Sequence, residues 1–157
     1  MITVNSRLPI FNLQTAEGRP TTLQANLGPR ATLAVFLHRT WCADCAAELY
    51  SLQRRHRAFT AAGGTVLAVT QDTAAGLAAF IASSPIRFAY RLLADPEGAS
   101  QAALGGPATA ALVADARGMV RWLTGWDDDR ARPGPQALLA ALLASGAPAV
   151  RPAADWQ

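Results

Sequence analysis

The stretch TLAVFLHRTWCADC, residues 32–45, decides how this chain is read. Its first half, Thr32 to Leu37, is a nearly unbroken apolar run of strand length, as expected of a strand covered on both faces of a sheet. Its second half carries the only two cysteines of the chain, Cys42 and Cys45, separated by two residues and preceded by Trp41. Downstream, Cys45, Leu49, Leu52, His56 and Phe59 recur at steps of four and three. That spacing predicts one helix from Cys45 to about Gly63, with its apolar stripe toward the core.

Working outward, Leu8 to Leu23 reads as a β-hairpin around Glu17-Gly18-Arg19-Pro20. Thr65 to Thr70 is a second buried strand. Thr73 to Ser83 reads as a helix with Asp72 as its N-cap and Pro85 beyond its end. Phe88 to Leu93 is a short strand and Gly98 to Leu104 a short helix. Thr109 to Ala114 and Met119 to Thr124 form a hairpin about Asp115-Ala116-Arg117-Gly118. A last helix is expected from Pro135 to Ala144, followed by a loose Pro- and Ala-rich tail, residues 146–157. Alternating βαβ followed by an antiparallel hairpin predicts an α/β fold: one domain over residues 1–157, with a mixed central β-sheet flanked by helices and an N-terminal β-hairpin extension.

The chain has 157 residues, enough to bury a core without a metal or a structural disulfide. Its 14 basic residues are all arginine and are scattered, and Arg54-Arg55-His56-Arg57 is read as a solvated helix face rather than a nucleic-acid patch. No apolar run is long enough to span a bilayer, and the first residues lack the features of a secretory signal, so a cytoplasmic protein is expected. In a reducing compartment a C-x-x-C is more often catalytic or metal-binding than a static bridge. Phosphate-loop, G-x-S-x-G and H-E-x-x-H motifs are absent from the sequence.

Three readings of the cysteine pair are open at this point: a redox couple, part of a zinc site with His38 and His56, or two inert buried thiols. Placement where a strand turns into a helix favours the first. The unpaired N–H groups and positive dipole end of the helix stabilise a thiolate at Cys42. Three residues on, Cys45 lies one turn inward, within reach of a bridge after little backbone movement. Asp127-Asp128-Asp129 is read as a solvated acidic turn, and Trp122 and Trp126 as packing residues.

Residues 34–45 resemble the active-site strand and helix start of the thioredoxin superfamily, with W-C-x-x-C as the redox signature. Leu8–Leu23, Leu27–Arg30, Asp95-Pro96-Glu97-Gly98 and Gly106-Pro107-Ala108-Thr109 are similar to segments of its alkyl hydroperoxide reductase/thiol-specific antioxidant (redoxin) branch. The resemblance covers roughly residues 8–145 and implies a thioredoxin fold. It implies Cys42 as nucleophile and Cys45 as resolving thiol. Trp41, Gly106 and a cis Pro107 would line the substrate groove, without cofactor or metal. Partners would be protein or small-molecule disulfides and a thiol reductant, or hydroperoxides, but neither nucleic acid nor membrane.

Peroxiredoxins proper carry P-x-x-x-T/S-x-x-C, with a distant arginine, to orient a peroxide. Counted back from Cys42 those places hold Val35 and Arg39. Thioredoxin's buried acid on the preceding strand is matched by Phe36, which leaves Asp44 or Glu48 as stand-ins. The expectation is therefore thiol-disulfide exchange first, a Cys42/Cys45 thiol peroxidase as the alternative, and a non-enzymatic redox sensor or binding module third.

Overall fold

The computed structural model describes residues 1–106 and 109–145. Seven strands form one mixed sheet in the order β2-β1-β5-β4-β3-β6-β7. The N-terminal hairpin, β1 (Asn12–Thr15) and β2 (Pro20–Thr22), extends the sheet through antiparallel pairing of β1 with β5 (Arg91–Ala94). Pro20 has no N–H for a ladder, and it sits on the edge strand where that loss is tolerated.

At the centre, β3 (Ala31–Leu37) runs parallel to β4 (Gly64–Thr70), and β4 parallel to β5. On the other side β3 pairs antiparallel with β6 (Thr109–Asp115), which turns back into β7 (Val120–Trp126). All seven residues of β3 are buried. Leu33, Val35 and Leu37 pack into one apolar layer, with Cys45, Leu49 and Leu52, while Ala34 and Phe36 pack into the opposite one. This alternation explains why an unbroken apolar run was needed: both faces of the strand are covered.

Helices α1 (Ala43–Arg54) and α2 (His56–Ala61) follow β3, α3 (Ala74–Ser83) follows β4, α4 (Ala99–Leu104) follows β5, and α5 (Pro135–Ala144) closes the described fold. The single helix expected over Cys45 to Gly63 is thus two, bent at Arg55, whose backbone leaves helical geometry at φ −101°, ψ 3°. With that bend, both Leu52 and Phe59 reach the core. Asp72 is not the N-cap of α3. Thr73 holds that position, its hydroxyl accepting the Gly76 N–H at 3.0 Å. The strand expected at Phe88 begins only at Arg91. The expected tail, 146–157, lies outside the described residues. No helix among the described residues is long and apolar enough to cross a membrane.

Candidate active site

The carboxyl end of β3 delivers the chain to Cys42, the N-cap of α1, at the usual location for chemistry in a parallel α/β core. Two ties fix the connecting loop. The Gln71 N–H donates to the His38 carbonyl at 3.0 Å, and the buried Thr40 N–H donates to the Asp72 carboxylate at 3.0 Å. Asp72 therefore clamps the loop that presents the cysteines, instead of capping α3. A helix-cap reading of Asp72 was natural from the sequence, because a contact across 32 positions leaves no local signature.

Cys42 is partly exposed and its extended backbone turns directly into the helix, its carbonyl accepting the Ala46 N–H at 2.9 Å. Cys45 is buried, 4% exposed. Both are free thiols, and Cys42 is close enough to influence the ionisation of Cys45. Burial pushes the Cys45 thiol up, and the neighbouring Cys42 adds to this. The backbone N–H groups of Arg39 and His38, directed at the sulfur, pull the other way without reversing it. Cys45 is thus held as a protonated thiol behind the more accessible Cys42.

The two cysteines share a cavity of about 220 Å3. Leu37 and His38 come to it from the end of β3, and Asp44 and Glu48 from α1. Thr109 and Trp126 face each other across the β6–β7 ladder, where the Thr109 hydroxyl donates to the Trp126 carbonyl. The chain leaving β7 adds Asp127 and Arg132. Glu48 is buried, 4% exposed, and its carboxylate lies 3.3 Å from the Arg132 guanidinium. A carboxylate so enclosed requires a cation.

Arg132 is the functional candidate that sequence reasoning missed. Its signal was indirect: Glu48 falls one turn from Cys45 on the inward side of α1, so an arginine had to come from elsewhere in the chain. Of the two stand-ins for an acid, Glu48 is the buried one and Asp44 is exposed at the mouth. Phe36 packs in the apolar layer opposite to Cys45, so the strand position expected for an acid belongs to the other side of the sheet here.

Trp41, next to Cys42 in the chain, is 71% exposed. The Arg39 guanidinium lies 5.7 Å from the centre of its ring, and the His38 ring 6.2 Å away. Gly106 is exposed after the end of α4 and is not among the described residues that line the cavity, and Pro107 lies outside the described residues. The His56 ring lies tilted at 6.1 Å from that of Tyr90 and lines a separate cavity, so the four ligands of a zinc site are not brought together. Among the described residues no cluster of three or more His, Cys, Asp or Glu could hold a metal ion. The P-x-x-x-T/S-x-x-C pattern is absent on either count: back from Cys45, its places hold His38 and Cys42.

No curated protein matches the chain. Among solved structures it is similar to the peroxidoxin BcpB from Mycobacterium tuberculosis, at 20% identity and a TM-score of 0.75 over 92% of this chain and 98% of that one. It is similar to Enterococcus faecalis AhpC at 20% identity and a TM-score of 0.78 over 92% and 93% of the two chains. A putative thiol:disulfide interchange protein DsbE from Chlorobium tepidum is similar at 22% identity and a TM-score of 0.69 over 90% and 99%. These likenesses establish a thioredoxin-like fold. Residues 4–123 match the AhpC/TSA family itself. The chain belongs to the AhpC/TSA family, and with it to the thiol-based oxidoreductases of the redoxin group.

Proposed function

We propose that this protein is a two-cysteine thiol peroxidase, in which Cys42 is oxidised by a hydroperoxide and Cys45 resolves the product. This reverses the order expected from the sequence, where disulfide exchange came first. The observation that carries the reversal is Arg132. The family's peroxide chemistry uses a distant arginine against the thiolate, and here an arginine ninety positions downstream shares a small cavity with both thiols. The peroxiredoxins prominent among the similar structures support the same reading.

The steps follow from the placement of the two sulfurs. The Cys42 thiolate, at the helix start, attacks the nearer peroxide oxygen. The O–O bond breaks, Cys42 becomes a sulfenic acid, and the alkoxide leaves with a proton as alcohol or water. In this reading the Arg132 guanidinium, which lines the same cavity, offsets the negative charge that develops on the departing oxygen. The Cys45 thiol then attacks the Cys42 sulfur, releasing water and closing a disulfide, which an external dithiol reduces. Because Cys45 is held protonated until that step, the two thiols do not compete for the peroxide.

Mass spectrometry of peroxide-treated variants tests the assignment. Cys45→Ser should gain a single oxygen at Cys42, whereas Cys42→Ser should be inert. Oxygen appearing on Cys45 in the Cys42→Ser protein would reverse the roles.

A second reading, thiol-disulfide exchange, is favoured by one feature: the exposed Trp41 beside Cys42 offers a flat surface on which a partner chain could lay its disulfide. Trapping of a mixed disulfide by Cys45→Ser with a protein disulfide, together with no reaction with hydroperoxide, would select it.

A further inference from the structure

We infer that the cavity favours uncharged hydroperoxides over those that carry a carboxylate. The inference rests on the peroxidase reading and names the substrate class that the same site takes. Its basis is the charge around the two sulfurs. Among the described residues, the carboxylates of Asp44, Glu48 and Asp127 line the cavity with the guanidinium of Arg132. Glu48 is buried and lies 3.3 Å from that guanidinium, so the two opposite charges offset each other. Asp44 and Asp127 remain, both exposed, one from the first turn of α1 and one from the end of β7.

An incoming anion therefore meets two like charges at the entrance and a guanidinium already engaged at the floor. Arg39 keeps its charge beside the Trp41 ring but is not among the described residues that line the cavity. The cavity of about 220 Å3 is large enough to admit a short-chain hydroperoxide. A neutral hydroperoxide bears none of the electrostatic cost and can still place its oxygens between Cys42 and Arg132.

The test uses one short-chain alkyl hydroperoxide in two forms, the free carboxylate and its methyl ester, so that the reacting O–O bond and the shape are matched. Oxidation of reduced full-length protein is followed at pH 8 by rapid mixing, with free cysteine as the reference for intrinsic reactivity. Relative to free cysteine, the ester should react about tenfold faster than the carboxylate at low ionic strength, and the ratio should shrink as salt is raised. In Asp44→Asn/Asp127→Asn the ratio should fall toward that of free cysteine. Equal preference in the unmodified protein, or a preference that neither salt nor the double substitution alters, would overturn the inference while leaving the peroxidase standing. If neither form oxidises Cys42 faster than free cysteine, the peroxidase reading falls and the inference with it.

Discussion

Replacing Arg132 with methionine keeps much of the side chain's bulk and removes its charge, which isolates the Glu48–Arg132 pair. At 3.3 Å, two unit charges in an effective dielectric of about 20 attract by about 5 kcal/mol. Only part of that is a net contribution. The Arg132 side chain is 28% exposed and that of Glu48 6%, so water screens one partner, and desolvation of both offsets the attraction. A loss of about 2 kcal/mol is expected for Arg132→Met, since the buried carboxylate is left without its cation. For a domain of this length that lowers Tm by roughly 4–8 °C. The assay is thermal unfolding of the reduced protein at pH 7 in a double-mutant cycle with Glu48→Gln. The double variant, which buries two neutral groups, should recover more than half of the loss. A Tm unchanged in Arg132→Met, or a double variant as unstable as the sum of the singles, would refute the coupling and with it the argument that Glu48 holds Arg132 in the cavity it shares with the thiols.

Asp72→Ala should leave the buried Thr40 N–H unpaired, costing about 1–3 kcal/mol, and should loosen the loop before Cys42. Hydrogen exchange at Thr40 would accelerate, and an unchanged rate would rule out the clamp. Cys45 gives a pH-dependent contribution of defined sign. Its folded-state thiol is raised above the ordinary value of 9.0, chiefly by burial, so the folded state binds that proton more tightly than the unfolded chain. The contribution is complete below that value and is lost as pH rises above it. Reduced wild-type protein should therefore lose stability above about pH 9 more steeply than Cys45→Ala, a difference that cancels the similarly raised, buried Tyr90 phenol common to both. Parallel pH profiles would contradict the buried-thiol account. Gly64→Ala would set a methyl 2.1 Å from Cδ2 of Leu142, a fully buried side chain, and should cost about 1–3 kcal/mol by overpacking. A neutral substitution there would mean that α5 is packed less tightly on β4 than the structure has it.

Where a residue's role follows from its immediate neighbours, the sequence was enough. The apolar run of β3, the cysteine spacing at the start of α1, the turn at Asp115 and the Pro-initiated α5 are all local, and the helix Pro135–Ala144 has the bounds expected of it. What escaped was set by contacts between distant segments. The bend at Arg55 has no proline or glycine to mark it. Asp72 has the residue type and position of a helix cap, yet it serves the loop 32 positions earlier. Arg132 lies in a polar run after three aspartates, and only the return of β7 alongside β6 carries that run to the cysteines. Composition supplied 14 arginines and no local reason to choose one of them. Motif positions near Cys42 therefore put disulfide exchange first, whereas in three dimensions Arg132 lines the same cavity as both cysteines.

The central claim, that Cys42 is a peroxide-reactive thiolate, is tested most directly by the second-order rate of hydrogen peroxide reduction, read in a rapid-mixing experiment from the fluorescence of Trp41 and Trp126. The account predicts a rate well above that of a free thiol, retained in Cys45→Ser and lost in Cys42→Ser. A rate no faster than free cysteine, or one that survives Cys42→Ser, would contradict it.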